Sequence, residues 1–264
     1  MKSQSLTEYV DSLQQKGRYT FTKAEAQQAI SAMDEVLKVS LWRLAKKRRI
    51  VMIRQGFYVI VPLEYAARGF LPPEWFIADL MSFMGQPYYV GLLSAAALHG
   101  AAHQQPQEFH VVIPRAERAI SLDGLRIRFF KKAGMEASPV QEVKTPTGFM
   151  KVSSPAKTAI DLVGFASRIG GLDRVLTVLQ ELKEKMTPEM LLKAALSERQ
   201  LSLVQRLGWL LEKAGNGEMV DRLAQWLQTR KPRETPLDPA LPKRGFARDP
   251  RWKVIANAEV EGEL

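Results

Sequence analysis

Apolar residues first settle into a period at Leu6, Tyr9, Val10 and Leu13, spaced i, i+3, i+4, i+7, which predicts a short helix over residues 5–14. After Gly17-Arg18-Tyr19, Thr22 is followed three residues later by Glu25. That capping-box spacing predicts a second helix from Lys23 to about Ile30. Asp34 is placed to cap a third, over roughly residues 35–48. The period then changes. IVMIRQGFYVIV, residues 50–61, reads as two strands of about five residues around a tight turn in which Gly56 supplies the positive φ. Three helices and a hairpin in this order predict a winged helix-turn-helix.

Residues 62–73, PLEYAARGFLPP, interrupt any period with Pro62, Gly69 and Pro72-Pro73 and read as a connector. The division falls there: 1–72 a winged helix with its connector, 73–264 a mixed α/β domain with a helical C-terminal part, an α+β chain overall. In the second part, EWFIADLMSFM and VGLLSAAALHGAA read as helices on either side of Gly85-Gln86-Pro87. EFHVVIP, LRIRFFKK and GFMKVSS read as strands, the first two separated by a polar turn around Ser121 to Gly124. Ser154-Pro155 caps and starts an amphipathic helix, PAKTAIDLVGFA, because Pro suits the first helical position. Residues 172–228 read as mostly helical, TRKPRETPLDPALPKRGFARDPR as an extended Pro-rich basic tail or loop, and WKVIANAEV as a last strand. No internal repeat is evident.

Charge sharpens this picture. The 264 residues carry a net +10, from 38 Lys and Arg against 28 Asp and Glu. Residues 1–60 hold 11 of the cations and 5 of the acids, more than half of the excess in less than a quarter of the chain. That concentration points to a polyanion, nucleic acid before an anionic membrane surface. Winding the third helix at about 100° per residue places Leu37, Leu41 and Leu44 on one stripe, flanked by Ser40 and Ala45. Lys38, Val39, Trp42, Arg43, Lys46 and Arg49 point the other way, the face a helix in a major groove presents. Lys38, Trp42 and Arg43 are the candidates for base edges. Lys46, Lys47, Arg49 and Arg54, the last at the hairpin tip, are candidates for phosphates, and Lys23 at the start of the second helix joins the set. Arg48 projects back toward the leucine stripe and is expected to snorkel.

Candidate chemistry elsewhere is sparse. His99 and His103 stand at a metal-capable i, i+4 spacing, but Gly100 follows His99 and no third ligand is evident, so a structural role is expected. Ser154-Pro155-Ala156-Lys157 has the S-x-x-K spacing without the partner motifs of an acyl enzyme, and Ser154 reads as a cap. Glu142-Val143-Lys144 has the carboxylate-x-lysine spacing of a nuclease metal site without a placed upstream Asp. No phosphate-cradling glycine loop is present, and Gly170-Gly171 reads as a helix break. Neither catalysis nor a cofactor or metal is expected. No run reaches the ~18 apolar residues of a membrane helix, MKSQSLTEYVDSLQQ lacks a signal-peptide core, and the absence of cysteine sits with a cytoplasmic location.

RQGFYVIVPLEYAARGFLPPEWFIADLM, QPYYVGLLSAAALHGAAHQQPQEFHVV, SSPAKTAIDLV and the terminal DPRWKVIANAEVE together resemble the AbiEi family of transcriptional-regulator antitoxins, in the right order across almost the whole chain. The resemblance implies a winged helix that binds inverted repeats in its own promoter as double-stranded operator DNA. It implies an α/β antitoxin domain paired genetically with a nucleotidyltransferase-like toxin. In these type IV systems, associated with abortive infection against phage, the toxin is opposed without a required stable complex. It carries over no catalytic residue. His110 departs from the Gln expected in EFHVV. The alternatives are a nuclease delivered to DNA by the winged helix, and a winged helix that binds protein.

Overall fold

The computed structural model describes residues 4–101, 106–215 and 217–262. The chain forms two compact units, residues 1–88 with 113–131 and 142–151, and residues 89–112 with 132–141 and 152–264. Among the described residues the mixture is α+β.

The first unit opens with α1 (Leu6–Gln15), β1 (Thr20–Thr22), α2 (Lys23–Ile30), α3 (Asp34–Lys46), β2 (Ile50–Arg54) and β3 (Phe57–Ile60). The strands lie in the order β1-β3-β2, antiparallel, with Phe21 opposite Tyr58 and Val51 opposite Val59. Three helices on a three-stranded sheet whose last two strands form a hairpin make a winged helix-turn-helix. Its core is Leu6, Tyr9, Val10, Leu13, Phe21, Ile30, Leu37, Leu41, Leu44, Ile50, Tyr58 and Ile60. The Phe21 ring stacks on Tyr58 at 5.3 Å and meets Tyr9 edge-on at 5.9 Å, packing of the kind that adds about 0.5–1.5 kcal/mol per aromatic pair beyond area burial.

The helix starts follow the expected chemistry. Thr22 accepts from the Glu25 amide at 3.1 Å while the Glu25 carboxylate accepts from the Thr22 amide at 2.7 Å. Ser5 and Glu8 repeat the device for α1. At α3 the cap residue is Met33, and Asp34 is the first helical residue. The end of α3 differs more from expectation. The helix stops at Lys46, and the amides of Arg48 and Arg49 turn back to the carbonyls of Ala45 and Leu44 at 2.9 and 3.0 Å. This pair of bonds is a Schellman closure, which requires a left-handed residue. That residue is Arg48, at φ +54°, so its exposed side chain does not snorkel along the leucine stripe. Arg49 likewise lies beyond the helix rather than on its outward face. Gly56 takes φ +82° in the hairpin turn.

Residues 62–73 contain a turn of 3-10 helix at Leu63–Tyr65, and a second follows at Pro73–Trp75. Both fold onto the winged helix, Trp75 meeting the rings of Tyr19 at 5.0 Å and Tyr65 at 5.8 Å. The helix expected from EWFIADLMSFM is shortened to α4 (Ile77–Phe83), and Phe83 packs on Phe57 at 5.3 Å.

Along the rest of the chain come β4 (Tyr89–Val90), α5 (Leu92–Leu98), β5 (Phe109–Ile113), β6 (Ile120–Leu122), β7 (Leu125–Lys131), β8 (Val140–Thr145), β9 (Gly148–Ser153), α6 (Pro155–Gly164), α7 (Ala166–Ile169), α8 (Gly171–Leu182), α9 (Pro188–Leu196), α10 (Leu201–Lys213), α11 (Asp221–Thr229), β10 (Thr235–Pro236), β11 (Arg248–Asp249) and β12 (Val254–Ile255). In the first unit β6 and β7 form a hairpin, Ser121 opposite Arg126. In the second, Val90 of β4 lies antiparallel to Val111 and parallel to Val152. The helix α6 is buried from Pro155 to Val163 and packs against α5, α8, α9 and α10. A close approach holds the end of the chain: a Cβ on Gly208 of α10 would lie 2.0 Å from the ring of Trp252, which is fully buried.

Candidate nucleic-acid interface

Because Leu37, Leu41 and Leu44 face the core, the opposite side of α3 is left to solvent. Val39, Trp42, Arg43 and Lys46 are exposed there, Trp42 by 62%. Lys46 sits over the Trp42 ring at 5.1 Å. The ring is open to solvent rather than packed under the hairpin. Arg43, Lys46 and Lys47 have no carboxylate partner among the described residues, and Arg43 and Lys46 occupy the last turn of α3. Cations there also suit the negative end of the helix dipole.

The other candidates are engaged. Lys23 and Lys38 both pair with Asp34, Lys38 at 2.7 Å. Their hydrogen bonds, that from Lys23 first, hold the Asp34 carboxyl below the usual carboxylate range. Arg49 bonds Asp11 at 2.6 Å. Arg54 is not a free cation at a hairpin tip: it bonds Glu117 at 2.9 Å and the Arg118 carbonyl at 3.2 Å, with its guanidinium 5.8 Å from the Phe129 ring centre. The sequence set is thus divided between an unpaired group at Arg43, Lys46 and Lys47 and a paired group at Lys23, Lys38, Arg49 and Arg54.

The second unit holds a buried ionic square that the sequence reading did not find. Lys132 donates to Asp161 at 2.8 Å and to Glu198 at 2.6 Å. Lys157 lies 3.0 Å from Asp161 and 3.2 Å from Glu198. Tyr89 donates to the second Asp161 oxygen at 2.8 Å, and the amides of Arg199 and Gln200 bond the free Glu198 oxygen. Asp161 and Lys157 are wholly buried. Burial opposes charge on Glu198, yet the hydrogen bond and charge of Lys132, with Lys157 and the Gln200 amide, bring its carboxyl below the usual range. Burial works against Lys132 too, but the two carboxylates raise it above the ordinary lysine value. Burial and the neighbouring Lys132 leave Lys157 lowered. Burial and the Asp161 charge push the Tyr89 hydroxyl far up, so it stays a donor. The available signal was Lys157 and Asp161 at i, i+4, the two charged residues of a helix that otherwise carries only Thr158 as a polar side chain.

Other expectations resolve locally. Ser154 caps α6, accepting from the Lys157 amide at 3.3 Å. The His99 Nε2 lies 2.8 Å from the Ser153 carbonyl and burial lowers its pKa, a structural contact; His103 lies outside the described residues. His110 is buried, 3.7 Å from Glu108. Glu142 and Lys144 are exposed on β8. Among the described residues no three His, Asp or Glu side chains gather as metal ligands, and no helix is long and apolar enough to cross a membrane.

Fold and site together define a two-unit α+β protein that couples a winged helix with an exposed basic face to a helix-rich unit with a buried ionic core. Residues 89–213 match the family model of the AbiEi antitoxin C-terminal domain. Over this stretch, 125 of the 264 residues, the chain is similar to the AbiEi antitoxins, the antitoxins of type IV toxin–antitoxin systems. The RV2827C protein from Mycobacterium tuberculosis shares the fold at a TM-score of 0.67 and 16% identity, over 94% of this chain and 90% of that one. An antigenic nucleotidyltransferase-like protein from Paracoccidioides brasiliensis aligns at a TM-score of 0.31 and 10% identity over 59% and 85%, too slight a likeness to bear on the fold. No curated protein matches the chain.

Proposed function

We propose that this chain is a non-enzymatic cytoplasmic antitoxin that also represses its own promoter, binding inverted repeats through the winged helix of residues 1–72 and opposing a nucleotidyltransferase-like toxin through residues 73–264 without a stable complex. Defence against phage by abortive infection is the setting that fits such a pair. The observation that carries the reading is the outward face of α3. It presents Trp42, Arg43 and Lys46 to solvent while its leucines hold the core, and a helix exposed in this way on a winged helix-turn-helix is suited to a major groove. Phosphate neutralisation by Lys46 and Lys47 supplies affinity, and Arg43 a bidentate donor for guanine.

Electrophoretic shifts of DNA from upstream of the chain's own gene test this. Arg43→Ala loses about 1–3 kcal/mol on that DNA and little on random duplex, whereas Lys46→Ala weakens both alike. Absence of a shift by the full chain at low salt, or an equal loss on both DNAs with Arg43→Ala, refutes direct readout by this face.

A further inference from the structure

Of the two expectations for the Pro-rich basic stretch, tail or loop, the second unit holds the loop. Residues 239–248, PALPKRGFAR, contain three cations and no acid, and all ten are exposed. Loops of this composition are ordinarily mobile, but this one is fastened at both ends. The buried amide of Asn257 donates to the carbonyls of Asp238 at 2.8 Å, Leu241 at 3.2 Å and Pro242 at 3.1 Å, while its oxygen accepts from the Asp238 amide at 3.0 Å. The Asp238 carboxylate takes the Ala240 amide at 2.8 Å, and the Ala256 amide bonds the Ala247 carbonyl at 2.9 Å. These bonds fix the two shoulders of the loop, residues 238–242 and Ala247, and so the short turn of Lys243 to Phe246 is presented between anchored ends.

What the tip shows to solvent is Lys243, Arg244 and Arg248 around Phe246. The Phe246 ring is 43% exposed, and Gly245 makes the turn before it at φ +86°. Lys243 and Arg244 have no carboxylate partner among the described residues. Arg248 has only a surface pair with Glu234 at 3.1 Å, of the kind that contributes little and yields to a better anion. Cations flanking one open aromatic face suit a polynucleotide whose bases are free to stack. A duplex hides those faces, and this loop is neither a helix nor a two-stranded ribbon that would fill a major groove.

We propose that the 239–248 loop is a binding site for single-stranded nucleic acid, with Phe246 stacking on one base and Lys243, Arg244 and Arg248 meeting the flanking phosphates. The site is independent of the α3 face, so the test uses the full chain carrying Arg43→Ala and Lys46→Ala. Fluorescence anisotropy is read with ~20-nucleotide oligouridylate, the matching oligothymidylate and a mixed-sequence duplex of equal length. Adding Phe246→Ala weakens the single strands about 5- to 150-fold and leaves the duplex unchanged; Phe246→Tyr retains binding. Adding Lys243→Ala with Arg244→Ala lowers the salt slope for single strands by about 1.4, two phosphates at ~0.7 each. Loss of either oligonucleotide through these residues supports the site, and a preference between the two assigns a contact to the sugar. The proposal is overturned if neither single strand binds, if Phe246→Ala leaves their affinity unchanged at an unaltered melting temperature, or if the duplex loses as much as the strands.

Discussion

Replacing Asp161 with Asn removes one charge and no heavy atoms from the core of the second unit, so its cost reports electrostatics rather than a cavity. The carboxylate is wholly buried and meets Lys132 at 2.8 Å, Lys157 at 3.0 Å and the Tyr89 hydroxyl at 2.8 Å. Asn keeps an oxygen for Tyr89. It leaves two ammonium groups to share Glu198, a net buried cation where the native square is neutral. Breaking a buried pair from one side costs about 3–5 kcal/mol, and a domain has only about 5–15 kcal/mol in all. Urea unfolding followed through the tryptophans of this unit should therefore shift by that amount. The double variant Lys157→Met, Asp161→Leu removes one charge of each sign, keeps Lys132 against Glu198, and should fall within about 1 kcal/mol of native or above it. The pH dependence has a definite sign. Glu198 is held below its unfolded value of about 4.3, so its contribution is present above that pH and is lost as pH falls through the lower folded value. Lys132, raised, keeps its contribution below its unfolded value of about 10.4 and loses it only as pH climbs through the higher folded one. A cost under about 1 kcal/mol for Asp161→Asn, with the double variant no better than the single, would show the square to be electrostatically idle.

Three further substitutions test separate steps. Arg48→Gly relieves a left-handed residue at the end of α3 and should stabilise the first unit by about 0.5–1 kcal/mol in urea, after glycine's entropy is subtracted; an unchanged midpoint would mean that the closure carries no strain. Gly208→Ala would ordinarily help a helix by up to about 1 kcal/mol, but its Cβ meets the Trp252 ring, so thermal unfolding should reveal a net loss of about 1–3 kcal/mol. Asp34→Asn releases Lys23 and Lys38 and should tighten duplex DNA binding a few-fold at low salt by anisotropy, with a steeper salt slope; weaker binding would show Asp34 to be organising the interface. In cells, Arg43→Ala with Lys46→Ala should derepress a promoter reporter yet protect against the toxin. Ile160→Asp, which buries a carboxylate in α6, should do the reverse, and if the α3 variant also failed to protect, neutralisation would run through DNA.

The elements legible in the sequence were those specified by neighbours in the chain. Thr22 with Glu25 set the start of α2, Leu37, Leu41 and Leu44 set the buried face of α3, Gly56 marked the hairpin, and Ser154-Pro155 opened α6. What escaped depends on distance along the chain. The strand β1 is three residues long and exists because Phe21 pairs with Tyr58, and β4 is two residues whose partners are Val111 and Val152. The partner of Arg49 is Asp11, 38 positions away, and that of Arg54 is Glu117, 63 positions away. No local period encodes such pairs. Arg48 was misplaced for a related reason: the need to turn into β2 at Ile50 ends the helix at Lys46, two residues short of the expected end.

That distinction matters for what the charge means. Counting cations in residues 1–60 locates a basic region but not a basic surface, since Arg18, Lys23, Lys38, Arg49 and Arg54 each have a carboxylate at hand. Folding neutralises these five; among the described residues of this segment Lys16, Arg43, Lys46, Lys47 and Arg48 are left without a carboxylate partner, and four of those five lie together at the C-terminal end of α3. Their position there is a consequence of the leucine stripe, which fixes the side of the helix that faces water. The same sorting runs in the opposite sense in the second unit, where Lys132 and Lys157 are drawn inside and matched with Asp161 and Glu198. Lys243 and Arg244 are left outside on a loop that Asn257 holds in shape. A cation buried with partners is committed to the fold, since removing one side of the pair is costly, and a cation displayed without one is available to an anion from elsewhere. By that criterion two displayed sets, on the outward face of α3 and at the loop around Phe246, are the ones on which the two nucleic-acid proposals rest.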